Sequence, residues 1–116
     1  MLYDKRWDVD EIGQVLLSAA DYMDQHGWCQ YMHRDKDGQV CIQGAIEAIM
    51  RCDAGLMNVS YQALCRLNDF LKRFDQSYQR LDSPSQWNDN VCRSKNHAVA
   101  VLREAAFVKE KETCDG

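Results

Sequence analysis

Ile12, Val15, Leu16, Ala19 and Met23 recur at intervals of three and four residues, the period of a helix that buries one stripe. No other feature constrains the fold as tightly, because the same period returns three more times. A second helix is predicted from about Gln43 to Cys52, with Ile42, Ala45, Ile46 and Ile49 on one side. Leu64, Leu67, Leu71 and Phe74 mark a third, with Ser60 as its N-cap and Tyr61 and Phe70 at its margins. The last is expected from near Ser94 to about Lys109. There Ala98, Val99, Val101, Leu102, Ala105, Ala106 and Val108 cover more than half the circumference, which predicts a central helix.

Punctuation supports this division. Asp8 with Glu11 reads as a capping box for helix 1, and Gly27 stands where its C-cap is expected. Between helices 1 and 2, "WCQYMHR" and "QVCI" flank Asp35-Lys36-Asp37-Gly38, and Asp-Gly is a strong turn signal. Residues 75–90, with the only proline, read as the longest irregular segment. A chain of 116 residues without internal repeat or βαβ alternation holds one core. The expected fold is therefore mainly α, a single-domain four-helix bundle over residues 1–116. A short hairpin or ordered loop joins its first two helices, and residues 1–7 and 110–116 are expected to be flexible.

Charge narrows the function classes. Fourteen Lys and Arg against eighteen Asp and Glu give a net charge of −4, which disfavours a general nucleic-acid binder. Arg66, Lys72, Arg73 and Arg80 read as the solvated face of a helix. No apolar signal-peptide region opens the chain and no run reaches membrane-spanning length, so a soluble, cytoplasmic protein without a membrane partner is expected. In a reducing compartment the six cysteines read as thiols more readily than as disulfides. Neither GxGxxG nor GxxxxGK[ST] occurs, and no cofactor is expected.

The order of "GWCQ", "GQVCIQGA" and "WND" resembles a family of small bacterial and phage proteins of unknown function. The matching residues are Gly27, Trp28, Cys29 and Gln30; Gly38, Cys41, Gly44 and Ala45; and Trp87, Asn88 and Asp89. The resemblance spans roughly residues 10–106 and implies a helical fold with no stated activity. Where members of that family often place a Thr- or Ser-led cap after Trp-Asn-Asp, this chain reads "NVCRSKNH", so the start of the last helix is less defined.

Three constellations could carry chemistry. His26, Cys29, His33 and Cys41 are metal-ligating residue types, but their spacing supplies no standard second ligand pair. No metal is therefore expected, and Cys29 and Cys41 are read as small buried groups facing each other across the corner. A thiolate nucleophile at Cys29 or Cys41 would need a base such as His26, His33 or His97; Cys41 does lie near the positive end of helix 2. Trp28, Tyr31, Trp87, Asn88 and Asp89 are the candidate binding residues, aromatics with polar neighbours as at a binding hot spot. Against that, Trp87 could plug the bundle while Asn88 or Asp89 caps local amides, and Trp28 could fold back on helix 1. The reading preferred here is a protein that binds another macromolecule, with a protein partner expected and homo-oligomerisation open; the resemblance implies in addition a phage or mobile-element accessory protein that modulates a host protein. The alternative is a thiol- or metal-dependent activity at Cys29 and Cys41.

Overall fold

Asp10 starts the first helix in the computed structural model, which describes residues 9–76, 78, 81 and 83–107. Its backbone is extended, and its carboxylate accepts from Gly13 N at 2.9 Å, so α1 runs Glu11–His26. The capping role predicted for Asp8 falls to Asp10; Asp8, Arg80 and both termini expected to be flexible lie outside the described residues.

Asp10 also grips Arg66 from the third helix in a two-pronged pair, Nη1 to Oδ1 at 2.8 Å and Nη2 to Oδ2 at 2.7 Å. Arg66, expected on a solvated face, is instead buried. A bidentate fork satisfies both carboxylate oxygens, which is what allows a guanidinium to leave water. The hydrogen bond from Arg66 holds the Asp10 carboxyl at about 2, below its ordinary 3.8. The ion pair's stability is therefore fully present above pH 4 and lost as pH falls towards 2. The Asp10 side chain is 52% exposed, so solvent screening reduces the effect to about 1 kcal/mol. Asp10→Asn should keep the cap and flatten the acid limb of a urea-unfolding series between pH 6 and 2.5. Asp10→Ala should lose about 1 kcal/mol more with the cap. An unchanged acid limb in Asp10→Asn would mean that other carboxylates set it.

Helix α1 ends at Gly27, whose φ of +104° few other residues adopt and whose N–H donates to Met23 O at 2.8 Å. The chain then enters an ordered loop. Among the described residues this loop contains only two isolated bridges, Trp28 with Val40 and Arg34 with Val40, and no strand. Asp35 sets its tip: Oδ1 accepts from Asp37 N and Gln39 N, and its carbonyl accepts from Gly38 N.

Helix α2 spans Ile42–Cys52 and is capped by a thiol, since Cys41 Sγ accepts from Gly44 N at 3.3 Å. A 3-10 turn, Ala54–Leu56, leads into α3, Met57–Phe74. Ser60, expected as the cap of α3, lies inside it and is buried, because Asp53 caps the preceding turn by accepting from Gly55 N. Phe70 faces the core and Phe74 the solvent, the reverse of the predicted stripe.

The segment read as irregular contains a further helix, α4, Pro84–Asn90. Ser83 caps it by accepting from Gln86 N, and Pro84 occupies the first turn, where its missing N–H costs nothing. Helix α5 spans Lys95–Phe107, so five α-helices, not four, are described. The helix in the middle is α1, which contacts α5 most extensively and also α2 and α3. Helix α5 gives up the central place because its buried residues are mostly Ala and Val, suited to close approach on one side. At Gly13 a Cβ would come within 2.5 Å of Ala106 O, which shows how closely the two helices meet. One core cluster draws on α1, α2, α3, α4 and α5.

Candidate functional site

The loop after α1, the start of α2 and α4 meet at a single buried side chain, Asn88. Its Oδ1 accepts from Trp28 Nε1 at 2.8 Å and from Ile42 N at 3.0 Å. Its Nδ2 donates to Cys29 O at 3.0 Å and to Asp89 Oδ1 at 3.2 Å. All four hydrogen-bonding sites of the carboxamide are thus used. Gln30 Nε2 adds contacts to the carbonyls of Asn88, Asp89 and Cys92 along the end of α4.

This scaffold presents Tyr31. Asp89 Oδ1 accepts from Tyr31 N at 2.8 Å, and Tyr31 sits at φ +70°, the one non-glycine residue with positive φ among those described. For a tyrosine that conformation costs about 1–2 kcal/mol, so the surrounding bonds must enforce it. Tyr31 is 76% exposed, and Met32 beside it is 51% exposed. Tyr31, Met32, His33, Cys41, Ser85 and Asp89 line a cleft of about 140 Å³.

The next residue, His33, is held through its backbone. Its carbonyl accepts from Cys41 N at 3.1 Å and lies on Gly44, where any Cβ would come within 1.9 Å of the oxygen. Its ring bridges two helices: Nδ1 meets Glu47 Oε1 of α2 at 3.1 Å, and Nε2 meets Ser85 Oγ of α4 at 3.2 Å. Ser85 Oγ donates to Gln43 Oε1 at 2.9 Å and lies 4.0 Å from Cys41 Sγ.

The sequence-predicted residues divide. Tyr31 is at the surface, with Asp89 under it and Trp28 half-buried against Asn88. Trp87 and Asn88 are interior: Trp87 Nε1 donates to Asp75 Oδ2 at 2.6 Å and its ring meets the edge of His97. Both are spent on holding the fold and present no surface to a partner. The four metal-ligating candidates are not gathered. His26 stacks on Tyr22, His33 turns to Glu47 and Ser85, and Cys29 donates to the carbonyls of Gln39 and Met32. Among the described residues no group of three or more His, Cys, Asp or Glu could hold a metal ion.

Both corner thiols are held in the protonated state. Burial, with Asp35 nearby, pushes the Cys29 thiol from 9 up to about 11. Burial also raises Cys41, outweighing the Gly44 and Gln43 amides at the start of α2 that favour a thiolate. At neutral pH each thiolate population is below that of an ordinary cysteine.

A family model described as a family of unknown function, DUF6197, matches residues 8–108. The chain belongs to that family. The matched span contains Asn88, Tyr31 and the whole His33 bridge. No curated protein and no solved structure matches the chain. Among the described residues no helix is long and apolar enough to cross a membrane.

Gln43, Glu47 and Ser85 escaped the reading of the sequence. Glu47 and Ser85 lie 14 and 52 residues from His33, and no local motif links them. One signal was present, since Ser83-Pro84 marks a helix start and would have set Ser85 in a first turn.

Proposed function

We infer that this protein acts by binding a macromolecular partner, a protein, through the corner that presents Tyr31 and Met32. The observation that supports this is the conformation of Tyr31. A chain that spends hydrogen bonds to hold a tyrosine in an unfavourable backbone state, with its ring in solvent, gains nothing in folding from doing so. A rigid, exposed aromatic beside a flexible thioether has the character of an interface anchor. The net charge of −4 fits a protein partner better than a nucleic acid. The resemblance to small bacterial and phage proteins extends the proposal to a cytoplasmic accessory protein that modulates a host protein.

The test compares wild type with Tyr31→Ala/Met32→Ala in affinity purification from the native host. A protein recovered stoichiometrically with wild type should be lost with the double variant and kept with Glu104→Gln, an exposed position of α5. The melting temperature should change little, because both side chains are largely exposed. A partner retained by the double variant, or recovery of only a second copy of this chain, would overturn the reading.

A further inference from the structure

Ser85, His33 and Glu47 stand in the order of a nucleophile, its base and the acid that orients the base. Their spacings of 3.2 Å and 3.1 Å fall within reach of direct proton transfer and of a fixed imidazole. A carboxylate can only accept, so in the neutral imidazole the proton lies on Nδ1 towards Glu47. That leaves Nε2 as an acceptor facing Ser85 Oγ. A serine hydroxyl has one proton, which serves either Gln43 Oε1 or His33 Nε2. A half-turn of the Gln43 carboxamide sets Nε2 against Ser85 Oγ and leaves the serine proton for His33.

We propose that Ser85, with His33 as base and Glu47 as positioning residue, forms an acyl-transfer site for short-chain, uncharged carboxylic esters. The cleft of about 140 Å³ beside Ser85 admits a short acyl group. Asp89 lines that cleft and disfavours an acid there. The His33 side chain is 46% exposed, so the site is open to water and suited to an ester, whose leaving group departs more readily than an amine.

The steps balance without a cofactor. Ser85 Oγ bonds to the ester carbonyl carbon as its proton passes to His33 Nε2. The imidazolium returns that proton to the alkoxide oxygen as the carbon–oxygen bond breaks, and an alcohol leaves. Water then attacks the acyl-serine, giving its proton to Nε2. That proton moves to Ser85 Oγ as the carboxylic acid is released. The cleft shares Tyr31 and Met32 with the proposed partner surface, but the argument for Ser85 does not rest on partner binding.

The full chain should react with a fluorophosphonate probe and hydrolyse p-nitrophenyl acetate and butyrate. Peptide mass mapping should find the probe on Ser85. Ser85→Ala should abolish labelling and bring hydrolysis down to the background rate. Glu47→Gln should lower kcat at least tenfold with KM unchanged, which a purely structural role would not do. Ser85→Ala is expected to fold, since the side chain is only part-buried, and an unchanged melting temperature checks this; if it does not, Ser85→Cys, with a thiol-directed probe, provides the second variant. Labelling elsewhere, no labelling, or hydrolysis equal in Ser85→Ala and wild type would overturn the proposal.

Discussion

Asn88→Ala is expected to destabilise the protein by about 4 kcal/mol. The substitution removes both oxygen and amide at once and leaves four partners behind: Trp28 Nε1–H, Ile42 N–H, Cys29 O and Asp89 Oδ1, the last of which keeps its bond from Tyr31 N. Each buried polar group left unpaired costs about 1–3 kcal/mol. Trp28 is only half-buried and can recover a bond to water, which keeps the sum towards the lower part of that range. Asn88→Asp is a sharper control. It preserves shape and the accepting oxygen but loses the donors to Cys29 O and Asp89, and it buries a charge beside the Asp89 carboxylate. It should therefore remain strongly destabilised at neutral pH and recover in part in acid, where the new carboxyl is protonated. Urea unfolding with matched m-values measures both. A loss below 1 kcal/mol for Asn88→Ala would mean that the corner is held by packing and that the carboxamide is incidental.

Gly44→Ala is expected to cost about 3 kcal/mol, although glycine to alanine inside a helix ordinarily stabilises by about 1 kcal/mol. The sign reverses because the new Cβ would stand 1.9 Å from His33 O and 2.7 Å from its carbonyl carbon. Backbone cannot swing aside as a long side chain can, so the corner must lift off α2. That breaks the bond from Cys41 N to His33 O and carries the imidazole away from Glu47 and Ser85. The typical cost of overpacking is about 1–3 kcal/mol, and the lost hydrogen bond brings the estimate to the top of that range. Unfolding midpoints measure the stability. Histidine NMR resonances check the geometry, since the His33 ring signals should shift more than those of His97. A neutral or stabilised variant would show that the corner is not seated on α2 as described.

These two substitutions lie at the same junction, and the proposed functions both depend on it. Asn88 sets the loop that displays Tyr31, and Gly44 sets the depth at which His33 rests. An Asn88 or Gly44 variant would therefore weaken partner binding and esterase activity together. Substitutions at Tyr31 and Ser85 should separate them.

The range of the forces involved decides which features were legible in one dimension. Helix α1 and the core face of α2 were readable because a 3.6-residue period is local, and Gly27 was readable because a positive φ favours glycine. The Asp35–Gly38 turn was equally local. Helix α4 was missed although "SPSQ" contains its cap and its first-turn proline; seven residues are too few to show a period. Ser60 was misassigned because a plausible cap residue and a buried serine look alike until the start of the helix is known.

The site was decided at longer range. Arg66 reads as a surface cation until Asp10, 56 residues away, closes a fork around it. The place of Cys41 before α2 leaves an activated thiol open as the alternative to a buried one, and burial outweighs the helix amides that would favour it. Sequence by itself determined that the chain is helical, where α1 and α2 lie, and that a glycine-stopped, aspartate-turned corner joins them, because backbone propensity and periodicity act over a few residues. Only the tertiary structure decided that Asn88 is the pin of that corner, that Tyr31 is held outward, and that His33 meets Ser85 and Glu47. Those contacts join residues up to 60 positions apart and exist only once the helices have packed.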